Sequence, residues 1–173
     1  AGSGLYRGPS YLKNGNAFGA AITAAAKGLD VLGGRIVAFQ SSLPSVGVGA
    51  MKNREDVRVY GRKGEVTMWF PDANQPAYKK LGQYCVEKQI SVDLISCCNG
   101  HDQQKSNGTK PAVTSSFADV ATIGTISKLT GGDVLNFSSF DIKSKRNTER
   151  LKREMLRILT NDVALESVLK IRC

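Results

Sequence analysis

Three times along this chain an apolar stripe at helical spacing gives way to a short apolar run, and that recurrence restricts the fold more than any other feature. In the first unit Phe18, Ala21, Ile22, Ala25 and Leu29 recur at helical intervals, with Asn14 or Asn16 placed to cap the start. Gly33-Gly34 closes the helix, and Ile36–Phe39 reads as a strand. In the second, a helix from Pro76 to about Lys88 carries Tyr78, Leu81, Cys85 and Val86 on its buried face and leads into strand Ile90–Ser96. The third begins near Ser116. It sets Phe117, Val120, Ala121, Ile123, Gly124 and Ile126 on a helix ending at Thr130-Gly131-Gly132, before strand Val134–Phe137. Repeated helix–strand units predict an α/β layer with a mostly parallel sheet, because parallel strands need a crossover between them. Three strands make a narrow sheet, so further strands are expected before Ala1 and the chain reads as a fragment.

A last helix is predicted from about Thr148 to Leu159, capped by Asn147 or Thr148, with Glu149 near the positive end of its dipole. Leu151, Met155, Ile158 and Leu159 form its apolar face, and Arg150, Lys152, Arg153 and Arg157 lie opposite. Beyond it, Val168-Leu169-Lys170-Ile171-Arg172 has the pattern of a strand beginning a neighbouring domain. Residues 41–75 form a long connection, and a loop of that length in a compact domain is expected to serve a purpose. Within it, Met68-Trp69-Phe70 is read as a plug holding the loop to the body, since large exposed apolar patches are rare. Residues 98–115 are rich in Gly, Asn, Gln, Ser and Lys and are expected to form a mobile polar insertion. Residues 1–13 read as a flexible start.

The formal charge is +9, from 24 basic and 15 acidic residues. Such a surplus suits an anionic partner and equally suits plain solubility. It is concentrated in residues 51–64, with five basic and two acidic side chains, and in residues 141–173, with nine and five. No apolar stretch approaches the ~20 residues of a membrane helix. The cysteines Cys85, Cys97, Cys98 and Cys173 show no Cys-x-x-Cys spacing, and His101 is the sole histidine, so no metal site is expected here. Free thiols in a reducing compartment are the default. Asn107-Gly-Thr fits a glycosylation acceptor, a match that would be accidental in a cytosolic protein.

Catalytic signatures are missing. Gly47-Val48-Gly49-Ala50 lacks the Lys-Ser/Thr pair of a phosphate loop, and no Gly-x-Ser-x-Gly elbow occurs. Ser41 and Ser42 sit at a strand tip where a nucleophile could stand. Nothing fixes His101 against either, and His101 and Asp102 read as solvent-facing. Asp93, Asp119 and Asp133 are scattered and form no paired-carboxylate pattern. The competing classes are a hydrolase using Ser41 or Ser42 and a basic α/β nucleic-acid-binding domain. Trp69 and Phe70 are not interleaved with arginines as a stacking platform requires.

The run Gly33-Gly34-Arg35-Ile36-Val37-Ala38-Phe39-Gln40-Ser41-Ser42-Leu43-Pro44 places a buried strand near the centre of a sheet and shows a polar tip beyond it. It resembles the cargo-selecting adaptor subunit of the COPII inner coat, in which a glycine pair and a basic residue precede a short strand and Phe-Gln-Ser-Ser-Leu-Pro. Gly47, Gly49, Arg54 and Glu55 match the loop that follows. Tyr78-Lys79-Lys80-Leu81, Cys85 and Gln89–Leu94 match the next helix and strand, and Asp119–Ile123 with Leu129–Gly132 match the unit after that. The resemblance covers about residues 14–96 and 116–172, and the chain departs from the family at 97–115.

The resemblance implies the later half of a von Willebrand factor A-like three-layer sandwich, the trunk, spanning residues 14–165, with the adjacent β-sandwich domain beginning at 166–173. It implies a non-enzymatic coat subunit, cytoplasmic and peripheral on the endoplasmic reticulum and on COPII vesicles, acting in export to the Golgi. Its implied partners are the sister GTPase-activating subunit, cargo proteins and SNAREs with short sorting signals, and the anionic membrane surface; nucleic acid is not among them. It implies no cofactor in this chain, with zinc in the upstream part of the whole protein. Lys170 and Arg172 fall where the family's cargo pocket takes basic residues. Lysine at 170 replaces a familiar arginine and lacks its planar fork; the plainer reading is that both keep an edge strand soluble. Lys52, Arg54, Arg58, Arg62, Lys63, Arg150, Lys152, Arg153 and Arg157 are the expected membrane or partner surface.

Overall fold

The computed structural model describes residues 15–54, 57–98, 118–138, 140–162 and 170–172. Its three strands, β1 (Gly34–Gln40), β2 (Ile90–Cys97) and β3 (Val134–Phe137), form one parallel sheet in the order β1-β2-β3. Gly34 pairs with Ile90 and Gln40 with Ser96; Leu94 pairs with Val134 and Cys97 with Phe137. The middle strand is therefore β2, buried from Val92 to Ser96. The strand of the glycine-pair run lies at the margin of the described sheet, and its Phe39 is 54% exposed. The turn into β1 needs glycine: Gly33 and Gly34 have φ of 65° and 137°.

Side chains alternate across the strands, and each face gathers its own core. On one face, Ile36 and Ala38 of β1 and Ile90, Val92 and Leu94 of β2 meet α1 (Phe18–Gly28), α3 (Ala77–Glu87), α4 (Val120–Ile123) and α5 (Thr125–Thr130) through Phe18, Ile22, Ala26, Tyr78, Cys85, Ile123 and Ile126. On the other, Val37, Ile95, Cys97, Leu135 and Phe137 meet α6 (Lys145–Thr160) through Leu151, Met155 and Ile158. Helices on both faces of the parallel sheet that the repeats predict make a three-layer α/β sandwich, as the resemblance implies. Cys97 and Cys98 point into opposite cores, as alternation demands.

The helix faces differ from their sequence reading in instructive ways. In α1 the buried residues are Phe18, Gly19, Ile22 and Ala26, while Ala21 and Ala25 face solvent. Gly19 is chosen for proximity: a Cβ there would stand 2.0 Å from the Val48 carbonyl oxygen. Val86 is exposed, and Gly82 takes its place inside, where a Cβ would meet Leu129 of α5 at 2.9 Å. The last helix starts at Lys145, with Ser144 rather than Asn147 or Thr148 at its cap. Leu159 is 70% exposed, so its apolar face is Leu151, Met155 and Ile158. Ala17, and not Asn16, stands at the cap of α1; Asn16 lies one residue ahead, its Oδ1 accepting from the Phe18 N–H at 3.0 Å.

The segment between β1 and α3 contains two single 3-10 turns, Val57–Val59 and Lys63–Glu65, and the one-turn α2 (Val66–Trp69). No helix among the described residues is long and apolar enough to cross a membrane. The predictions for residues 1–13, Asn14, the 99–115 part of the insertion with His101, Asp102 and Asn107, Phe117, Cys173 and the strand start at 166–169 lie outside the described residues.

Candidate functional site

The corner after β1 is a structural joint. Gln40 is 4% exposed and its amide donates to the Ser42 carbonyl. Ser42 Oγ accepts from the Asn16 amide at 2.9 Å, and Ser45 Oγ accepts from the Asn16 backbone N–H at 3.1 Å. The Asn16 carbonyl accepts from the N–H groups of Ser45 and Val46, and the buried Pro44 offers its carbonyl to Met51 N at 2.8 Å. Leu43 packs against the first core. Gln40, Ser42 and Pro44 are thus turned inward and bind the start of α1 to the end of β1; the polar tip expected to project from the sheet is folded back. Among the described residues neither a base nor a carboxylate is bonded to Ser42.

Two long-range ion pairs that the sequence did not reveal hold the layers in place. Arg35 of β1 pairs through Nε with Asp93 of β2, which is 0% exposed, and donates from Nη1 to the Ile158 carbonyl of α6 at 3.2 Å. The second carboxylate oxygen of Asp93 accepts from Asp133 N at 2.8 Å. One arginine thereby joins two strands to the helix across them, and its hydrogen bond to Asp93 raises its pKa.

Arg54 is the second. Its Nε and Nη2 grip the two oxygens of Asp119 at 2.6 and 3.0 Å, the two-handed geometry available to arginine. It also donates to the carbonyls of Thr67 at 3.0 Å and Phe70 at 2.6 Å. Asp119, 4% exposed, also caps α4 by accepting from Thr122 N at 3.2 Å, and Thr122 Oγ1 in turn accepts from Asp72 N at 2.9 Å. Arg54 is thus committed to fastening the connection and is withdrawn from the expected basic surface. The bond to Asp119 raises its pKa above that of a free guanidinium.

The clamp turns α2 outward. Trp69 is 68% exposed and Phe70 61%. The expected plug is absent: backbone carbonyls and Met51 hold the connection to the body, and the aromatic rings point to solvent. Tyr78, buried, replaces them as the aromatic anchor, donating to the Gly49 carbonyl at 2.7 Å; burial pushes its hydroxyl up to about 12.

The remaining basic residues fall into two groups on different layers. Lys52, Arg58, Arg62 and Lys63 belong to the connection that docks on the α1–α3 side, and Arg150, Lys152, Arg153 and Arg157 to α6 across the sheet. Arg157 bonds Glu154 and Asp133, both at 3.0 Å, and Arg150 lies 4.7 Å from the centroid of the Phe137 ring. Lys170 and Arg172 are exposed, as is Ile171 between them, and these three residues take part in no described strand. Cys85, Cys97 and Cys98 are free thiols; burial raises Cys85 and Cys97. Among the described residues no group of His, Cys, Asp and Glu could hold a metal.

Against known families, residues 6–105 match the model of the Sec23/Sec24 trunk domain. The chain belongs to this family. The protein transport protein SEC24 A of Arabidopsis thaliana is 35% identical over 159 residues, covering 91% of this chain and 13% of that protein. The human protein transport protein Sec24A is 30% identical over 163 residues, 94% of this chain and 13% of its own length. The crystal structure of the human COPII-coat protein Sec24c superposes with a TM-score of 0.66 at 27% identity, covering 83% of this chain and 17% of that one. The chain thus spans about an eighth to a sixth of the relatives it matches. Their kinship carries to this chain the α/β fold of the trunk domain.

Proposed function

We propose that this trunk segment belongs to a subunit that selects cargo by binding acidic sorting signals, joins the sister GTPase-activating subunit, and works without catalysis of its own. Its place would be the cytosolic face of the endoplasmic reticulum and the vesicles leaving it. The supporting observation is the pair Lys170 and Arg172, exposed and one residue apart, in a family whose relatives are protein transport proteins. Were this segment to pair as a strand, residues two apart would share a side and the two cations would face one ligand. A peptide with two carboxylates at the same spacing is their natural complement. Arg172 grips a carboxylate with a planar fork, and Lys170 acts as a point charge.

The test uses the full-length protein and fluorescent peptides bearing Asp-Ala-Glu or Asn-Ala-Gln. The acidic peptide should bind at least tenfold more tightly. K170A/R172A should remove that difference, and K170R should retain or improve it. Equal binding of both peptides, or an unchanged preference in K170A/R172A, would refute the assignment of these residues.

A further inference from the structure

Helix α6 carries six basic and two acidic residues between Lys145 and Thr160. Its arginines are not distributed evenly. Arg146, Arg150, Arg153 and Arg157 follow one another at intervals of four, three and four, and at 100° per residue they fall within an arc of about 60°. They form one row about 16 Å long, at 1.5 Å of rise per residue. The lysines Lys145 and Lys152 lie off the row. Leu151, Met155 and Ile158 anchor the opposite side in the core, so the row faces outward on a fixed helix.

The members of the row are differently prepared. Arg157 is held by Glu154 and Asp133. Arg150 rests on the Phe137 ring, a contact that orients the guanidinium plane and leaves its edge donors available. Arg146 and Arg153 are exposed and have no side-chain partner among the described residues. We propose that this row is a docking line for an acidic segment of a protein partner, a helix or strand whose carboxylates repeat at matching intervals.

Three observations favour a protein segment over a phospholipid surface. The row is one residue wide on a convex helix, so it complements a line better than a plane. It consists of arginine alone, whose fork favours directional two-handed contacts over attraction by a diffuse field. Glu149, Glu154 and Asp133 beside it weaken the field a membrane would feel and leave the individual contacts intact. The exposed Leu156, next to Arg153 around the helix, offers an apolar contact at the edge of the line. This site is separate from Lys170 and Arg172 and stands independently of their role.

The experiment measures fluorescence anisotropy of the full-length protein with two labelled helical 20-mers of identical composition. One has Glu at positions 4, 8, 11 and 15; in the other the same four glutamates are scattered around the helix. Vesicles of phosphatidylcholine with phosphatidylserine form a third arm. The spaced peptide should bind at least tenfold more tightly than the scattered one. R146E/R153E should abolish that preference, R146K/R153K should weaken it several-fold with the charge unchanged, and K170A/R172A should leave it alone. Both substituted arginines are exposed, so circular dichroism and thermal melting should match the wild type. Equal affinity for the two peptides would overturn the proposal. So would an R146E/R153E variant that loses vesicle binding and keeps the peptide preference.

Discussion

Removing Arg54 should destabilise the fold through the buried carboxylate it leaves behind. Its side chain is 23% exposed and that of Asp119 5%. Arg54→Ala leaves the Asp119 carboxylate, among the described residues, with the Thr122 N–H at 3.2 Å and the Thr122 hydroxyl at 2.8 Å. It also frees the Thr67 and Phe70 carbonyls. Breaking a buried pair from one side costs about 3–5 kcal/mol. Partial exposure of the arginine allows water to replace some of its contacts, so about 2–4 kcal/mol is expected. At roughly 2–4 °C per kcal/mol for a chain of this size, melting should fall by about 4–16 °C. Arg54→Lys, keeping charge and losing the fork, should fall between. Urea titration gives the global loss. Trp69 is the only tryptophan and sits on the clamped turn, so its steady-state anisotropy reports local release separately. The variant should lower that anisotropy in the native state. A cost below about 1 kcal/mol with unchanged Trp69 anisotropy would refute the clamp.

Burial raises the folded pKa of Tyr78 to about 12 from the ordinary 10, so its contribution is complete below pH 10 and is lost as pH rises towards 12. Chemical denaturation across that window should show Tyr78→Phe losing less stability with pH than the wild type, by roughly 2–3 kcal/mol at the alkaline end; parallel curves would contradict the burial argument. Gly132→Ala puts a Cβ 2.0 Å from the Val92 carbonyl oxygen and should cost about 3 kcal/mol by thermal melting, whereas Gly28→Ala, with nothing within 4 Å, should cost none. Asn16→Ala loses the bond to Phe18 N and the link to Ser42 and should cost about 1–2 kcal/mol in the same assay.

The strands were the most legible part of the chain. Val134–Phe137 has the bounds expected of it, and β1 and β2 differ from expectation by a residue or two at their ends, because apolar runs bounded by glycine and polar residues leave little choice. Helix faces were less legible. Gly19 and Gly82 belong to the interior because another backbone or helix approaches there, and glycine carries no hydrophobic signal to announce it. The ion pairs were hidden by distance along the chain. Arg54 and Asp119 are 65 residues apart, and Arg35 and Asp93 are 58, so the aspartates looked scattered and Arg54 looked like one more surface cation. Trp69 was misread for the same reason: once Arg54 holds the turn by its carbonyls, the ring is not needed to anchor it. Within the described sheet β2 is the strand paired on both sides, which its nearly unbroken apolar run announces.

The most direct test of the coat reading is light scattering after size-exclusion chromatography of the full-length protein mixed with the GTPase-activating partner from the same source. A stoichiometric one-to-one complex, retained in an R54K variant that remains folded, is the predicted result. Two separate peaks from two demonstrably folded proteins would contradict it.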